Sequence, residues 1–234
     1  MNLSSPTQTL RDDLILMPHL EAHAQVRGVA VNTYALLSGD RAVLVDAVFA
    51  DVLPQVEALH AAGITPVALV LTHFHLVGQA EVLPQLLQRF PVPVFLHPLD
   101  ARHREARRFR GLSFVDPIAD ALLPELGLEA ILFAGHTDGH IMLLKPDSGI
   151  LLAGDCAVGP TVQEAREGNW AMIRPPVFFN SDDAGLRREW REFRSPVTTI
   201  GPYHGAPIVN NPDGVAVALH SLRRDAPTTA MKGA

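Results

Sequence analysis

Along the chain, short runs in which nearly every residue is apolar alternate with longer stretches in which apolar residues recur every three or four positions. That alternation predicts buried strands interleaved with amphipathic helices, an α/β or α+β arrangement rather than an all-β one. Tyr34 to Asp46 reads as two strands joined by a tight turn at Gly39-Asp40 and ending in an acid. Asp51 to Ala62 reads as a helix, with Asp51 as cap, Pro54 early, Val52, Leu53, Val56 and Leu59 at helical spacing, and Gly63 as the stop. Pro66 to Leu71 is a continuous apolar strand that delivers Thr72, His73 and His75 into a loop at its C-terminal end. Beyond it the pattern predicts a helix over Gly78 to Phe90, a strand over Val92 to His97 and a charged helix over Leu99 to Arg110.

The second half repeats the first. Ile141 to Asp155 is again strand, turn and strand ending in an acid, so Asp46 and Asp155 hold parallel places in two similar units. Ser181 to Phe193 predicts an exposed helix, Val197 to Ile200 a strand and Gly214 to Arg224 a terminal helix. Pro160 to Ser181, with Trp170, Arg174, Phe178 and Phe179, is too long for a simple connection and reads as a lid or pocket wall. Its aromatic residues would line a pocket or an interface, and a homodimer through that stretch is one expectation.

Composition narrows the function classes. No Pro/Gly/Ser-rich linker divides the 234 residues, which reads as one domain spanning 1–234. A net charge of −6 gives no electrostatic footprint for nucleic acid. The one basic cluster, Arg102, Arg104, Arg107, Arg108 and Arg110, reads as a solvated helix face, though an anionic substrate could use it. The lone Cys156 excludes an internal disulfide. It reads as a small buried residue rather than a nucleophile, because no basic neighbour would lower its pKa. Met1 to Met17 lacks a secretory pattern, and no run approaches the roughly 18 apolar residues of a membrane span. The expectation is a soluble, cytoplasmic protein with a small-molecule substrate, no nucleic acid and no membrane.

The chemistry gathers at strand ends. His73-x-His75 places two imidazoles on one extended loop, and other metal-competent groups fall in short Gly-containing loops after later strands: Gly135-His136-Thr137-Asp138-Gly139-His140, Gly154-Asp155-Cys156 and Gly201-Pro202-Tyr203-His204-Gly205. Loops at one edge of a sheet converge while the strands hold them rigid. Asp46 reads as structural, and Asp138 as a cap for backbone N–H groups of its turn. His140 reads as a neighbour of the site at most, and His97 as either a loop histidine or a substitute ligand. His19, His23, His60, His103 and His220 have no supporting context.

Thr72-His73-Phe74-His75, Ala134 to His140, Ala153-Gly154-Asp155 and Tyr203-His204-Gly205, in that order, resemble the metallo-β-lactamase superfamily over about Val31 to Gly205. The resemblance implies an α+β fold, a four-layer αββα sandwich of two pseudo-duplicated halves. It also implies two metal sites, and here the chain departs from the family. The family's T-H-x-H-x-D-H-x-G continues with an acid and a histidine, whereas this chain reads His75-Leu76-Val77-Gly78. Read without a gap, Val77 stands at the aspartate and Gly78 at the histidine. A two-residue deletion instead keeps Gly78 as the family glycine with Gln79 opening the helix, and is preferred.

By the resemblance, His73, His75 and His136 survive as one three-histidine site with an open fourth position, like a catalytic zinc. Only Asp155 and His204 remain of the second. The expectation is one Zn ion, with Fe the alternative, and a mononuclear hydrolase of an ester, thioester or lactone-like carbonyl in which Asp155 and His204 position water and protonate the leaving group. Two other readings stand beside it. One is a member that has lost catalysis and binds a small molecule or a protein. The other is a mononuclear iron oxygenase resembling persulfide dioxygenases, with His73, His136 and Asp155 as a facial triad.

Overall fold

The protein was analysed as a computed structural model that describes residues 7–19, 31–79, 82–108 and 111–224. The first-half strands are β1 (Gln8–Arg11), β2 (Leu14–His19), β3 (Val31–Ser38), β4 (Arg41–Val45), β5 (Thr65–Val70), β6 (Val94–Phe95) and β7 (Phe114–Val115). They lie side by side in that order, antiparallel from β1 to β4 and parallel from β4 to β7. The second-half strands β8 (Glu129–Leu132), β9 (Ile141–Lys145) and β10 (Ile150–Val158) are antiparallel, with β11 (Thr199–His204) parallel to β10. Among the described residues the two groups meet at one pairing, His204 opposite Val31.

The helices are α1 (Val52–Ala61), α2 (Leu83–Arg89), α3 (Pro98–Ala101), α4 (Leu122–Glu125), α5 (Val162–Arg166), α6 (Asp183–Glu192) and α7 (Pro212–Arg223). Strand alternation sorts their partners into layers. On β4, Ala42 and Leu44 face α1 and α2 through Val52, Val56, Leu83 and Leu86. Val43 and Val45 point the other way, into an apolar layer shared with Ile141, Leu143, Ile150 and Leu152 of β9 and β10. The opposite faces of those two strands, Met142, Leu144, Leu151 and Ala153, pack on Leu186, Trp190, Val215 and Leu222 of α6 and α7. Three apolar interfaces therefore separate four layers, αββα. Each half contains an antiparallel hairpin, a helical connection and a strand parallel to the hairpin's second strand: β3-β4-α1-β5 and β9-β10-α6-β11.

Local differences from the sequence expectation have physical causes. In place of a helix over Gly78 to Phe90 there is a 3-10 turn, Phe74–Gln79, and then α2. Pro84 has no N–H to donate and is accommodated in the first turn of α2, where none is needed. The segment Leu99 to Arg110 forms only α3 and a 3-10 turn, Ala106–Arg108, with Arg110 outside the described residues. His103 Nδ1 accepts the N–H of Glu105 at 3.4 Å, a local bond that competes with helix continuation. Asp51 begins α1 without a side-chain capping bond, its carboxylate lying 2.7 Å from His19 Nδ1 instead.

The stretch 160–181 is a pinned wall. The side chain of Thr161 and that of Glu164 cap α5 reciprocally, Ile173 pairs with Val158, Ser221 bonds Met172 at 3.1 and 2.7 Å, and Arg174 donates to the carbonyls of Leu222 and Arg224. No described helix is long and apolar enough to cross a membrane.

Candidate metal centre

Strand β5 ends at Val70, and the chain then enters the loop that carries His73 and His75. Asp46, at the end of β4, fixes that loop: its carboxylate accepts the Thr72 N–H at 2.8 Å and the Thr72 hydroxyl at 2.9 Å. With its proton given to Asp46, the Thr72 oxygen faces His73 Nδ1 at 3.1 Å as an acceptor. The Nε2 lone pair of His73 is then left available. Asp46 thus acts as the sequence suggests, as a structural carboxylate. Burial pushes its pKa up to about 7 against the two hydrogen bonds from Thr72.

His136 is set the same way from the other half. Its Nδ1 lies 3.2 Å from Asn180 Oδ1, and Asn180 Nδ2 is committed to Pro175 O at 3.2 Å and Asp183 Oδ1 at 3.0 Å. The amide oxygen must therefore face the imidazole, Nδ1 carries the proton, and Nε2 is presented inward, 3.1 Å from His75 Nδ1. One ligand atom from each of His73, His75 and His136 lies within 4.8 Å of the others. Burial, then the neighbouring imidazoles, hold His73 well below the ordinary histidine range and His136 at about 3. Burial also lowers His75. Neutral imidazole is the form that binds a metal, so the donor set fits one cation.

Asp155 is aimed at this cluster by an irregularity in β10, whose pairing with β11 shifts register between Leu152 and Gly154. Gly154 has φ +54°, and a Cβ there would lie 2.7 Å from both His140 Nε2 and Thr72 Oγ1, so only glycine lets the strand pass so close. Asp155 Oδ2 lies 3.4 Å from His136 Nε2, and Oδ1 lies 3.9 Å from His204 Nε2. Burial, then the charge of Asp46, pushes Asp155 well above the carboxylate range. By themselves Asp155 and His136 favour neutral forms rather than an ion pair, and a dication between them would favour the carboxylate. His204 lies at the junction of the two halves, with its Nε2 3.9 Å from Asp155 Oδ1.

Two supporting residues, Asp100 and Asn180, escape a reading of motifs, and a third, His140, is the neighbour of the site that its motif suggested. Asp100, buried on α3, accepts Phe74 N–H at 2.9 Å, Thr137 hydroxyl at 2.6 Å and Gly139 N–H at 2.7 Å, tying the loop of His75 to the loop of His136. It does for this turn what the sequence assigned to Asp138, which instead accepts the Ser181 hydroxyl at 2.9 Å. Asn180 lies in the wall stretch, where no motif marks it. His140 is fully buried; its Nε2 accepts Asp155 N–H at 3.1 Å and its Nδ1 faces Cys156 Sγ at 3.0 Å. It steadies the backbone of Asp155, and Cys156 is a buried thiol raised by its burial. His97 is brought to no ligand and caps α3 through Leu99 N–H. Arg102, Arg104 and Arg107 are exposed, as is the pair Phe178 and Phe179.

The fold and the cluster together define the class, a four-layer αββα sandwich with a metal-competent three-histidine site. A family model of the metallo-β-lactamase superfamily matches residues 26–204, and the chain belongs to that superfamily. It is 30% identical over 142 residues to the probable metallo-hydrolase YybB of Bacillus subtilis, covering 54% of this chain and 62% of the relative. To the probable metallo-hydrolase YqgX of the same organism it is 25% identical over 147 residues, covering 54% and 66%. The matches thus span under two thirds of these relatives. Among solved structures, the DIM-1 metallo-β-lactamase superposes with TM-score 0.68 at 14% identity, covering 93% of this chain and 94% of that one. A metallo-β-lactamase from Erythrobacter litoralis gives 0.67 at 18% identity over 92% and 95%. At those identities the likeness establishes the fold alone.

Proposed function

We propose that the chain is a metal-dependent hydrolase that works with one metal ion, zinc by its all-imidazole donor set, on an ester, thioester or lactone-like small molecule. The observation that carries this is the triangle of His73, His75 and His136, whose ligand atoms lie within 4.8 Å of one another. Thr72 and Asn180 turn the first and third of these toward a common point. A zinc ion on three histidines supplies a Lewis acid for the carbonyl and acidifies water.

The chain's own residues do the rest. His73, His75 and His136 hold the cation and, being neutral, add no competing charge. Asp155 sits beside His136 with its second oxygen toward His204, placed to accept the proton of the attacking water. The water oxygen forms a bond to the acyl carbon, and the acyl–oxygen or acyl–sulfur bond breaks. The proton held at Asp155 passes to the leaving oxygen or sulfur, with His204 beside it. Only Asp155 and His204 remain of a second donor set, and Leu76, the residue after His75, is buried in the apolar layer beneath α1 and α2. Two ligands do not hold a second ion, which supports a one-metal mechanism.

The test is hydrolysis of a panel containing a p-nitrophenyl ester, an acyl thioester and a lactone by the wild type and by His73→Ala and His136→Ala. Turnover of at least one substrate is expected, with each variant losing both the metal and more than about 99% of kcat/KM. Metal retained in either variant contradicts the ligand assignment. Oxygen consumption with a persulfide and no hydrolysis would replace the hydrolase with the iron oxygenase.

A further inference from the structure

We propose that the hydroxyl of Tyr203, together with Asp155 Oδ1, holds the attacking water in place, doing with a hydrogen-bond donor what the family's second metal does with a charge. The proposal rests on the one-metal hydrolase reading. Tyr203 is 4% exposed, its ring 6.1 Å from that of His73 and 4.7 Å from that of His204, edge-on to both. Its hydroxyl is buried and makes no hydrogen bond among the described residues, and the same holds for Asp155 Oδ1, 3.9 Å from His204 Nε2. Buried polar atoms are nearly always hydrogen-bonded, so two unmatched ones on residues that both adjoin His204 point to a small polar molecule that both contact. The pair is complementary for one water: the phenol donates to its oxygen, and the carboxylate accepts its proton.

The surroundings agree. Tyr203 packs in the same apolar cluster as Leu76, the residue after His75, where the family's additional ligands would begin. The backbone on both sides of the Tyr203-His204 pair is pinned: Pro202 O accepts from Asn32 Nδ2 at 3.0 Å and Tyr34 Oη at 2.9 Å, and Gly205 O accepts from Asn32 Nδ2 at 2.7 Å. A group held that rigidly needs little reorganisation to act.

The test compares wild type with Tyr203→Phe, measuring metal content, kcat and KM on the ester or thioester that the wild type hydrolyses, and the visible spectrum of the Co(II)-loaded proteins. The expected result is equal metal content and KM within about twofold. kcat should fall by about a hundred- to a thousandfold, as for loss of one placed donor, and the Co(II) spectrum should change. Unchanged kcat and spectrum at full metal content overturn the proposal alone, as does a fall in kcat that merely tracks lost metal. A wild type that takes up no metal overturns the hydrolase reading with it. Should the Phe variant fail to fold, 3-fluorotyrosine at position 203 keeps the shape and strengthens the donor. It is expected to shift the Co(II) spectrum at an unchanged melting temperature, and an identical spectrum overturns the proposal.

Discussion

The behaviour of the site is set at the scale of single side chains whose outer hydrogen bonds fix which nitrogen of a histidine faces inward. Asn180 is the sharpest case, because its amide nitrogen is already bound to Pro175 O and Asp183 Oδ1, leaving the oxygen for His136. Asn180→Leu should lower metal affinity about ten- to a hundredfold, as loss of a partner behind a ligand does. A competition titration against a chromophoric chelator checks this, and an unchanged affinity would mean that the contact orients nothing. Asp46 makes a prediction about pH. Its folded pKa of about 7 lies above the ordinary 3.8, because burial outweighs the Thr72 hydrogen bonds. A raised pKa means that its favourable contribution is full below about pH 4 and is lost as pH rises through 7. In chelator-treated protein, the stability of wild type relative to Asp46→Asn should therefore fall between those pH values, as read by urea unfolding. A difference that is flat across that range would show that Asp46 is not perturbed.

At the scale of elements, the two ligand loops come from different halves of the chain and are joined by Asp100 on α3. Asp100→Asn replaces one acceptor oxygen by an NH2 facing the donors of Phe74, Thr137 and Gly139. It should cost about 1 to 3 kcal/mol of stability and weaken metal binding as well. Chemical denaturation and the same chelator titration check the two effects, and a loss of stability with metal affinity intact would reduce Asp100 to a structural role. Element scale is also where sequence reading reached its limit. His73, His75, His136, Asp155 and His204 were legible because each falls at or just past the end of an apolar run, although Asp155 lies within β10 and His204 is the last residue of β11 rather than in the loops expected. Asp100 and Asn180 were not, because their roles depend on contacts 26 to 44 residues away along the chain. The helices over Gly78 to Phe90 and Leu99 to Arg110 were overextended for a related reason. Local periodicity does not reveal that Phe74 N–H is claimed by Asp100, or that the ring of His103 stacks at 3.7 Å on that of Phe74.

For the whole molecule, the alternation of buried strands and helices predicted a mixed α/β or α+β fold and the repeated strand-turn-strand-acid unit its two halves, while the four-layer sandwich followed from the resemblance to the superfamily. What the halves create together is the junction at His204 opposite Val31, where one donor set is complete and the other is reduced to Asp155 and His204. The claim that this junction holds a single catalytic ion is tested most directly by elemental analysis of protein purified without added metal or a histidine tag. The account predicts about one equivalent of zinc per chain, lost in His73→Ala. No metal, and none taken up on addition, would contradict it, and two equivalents would contradict the one-metal site.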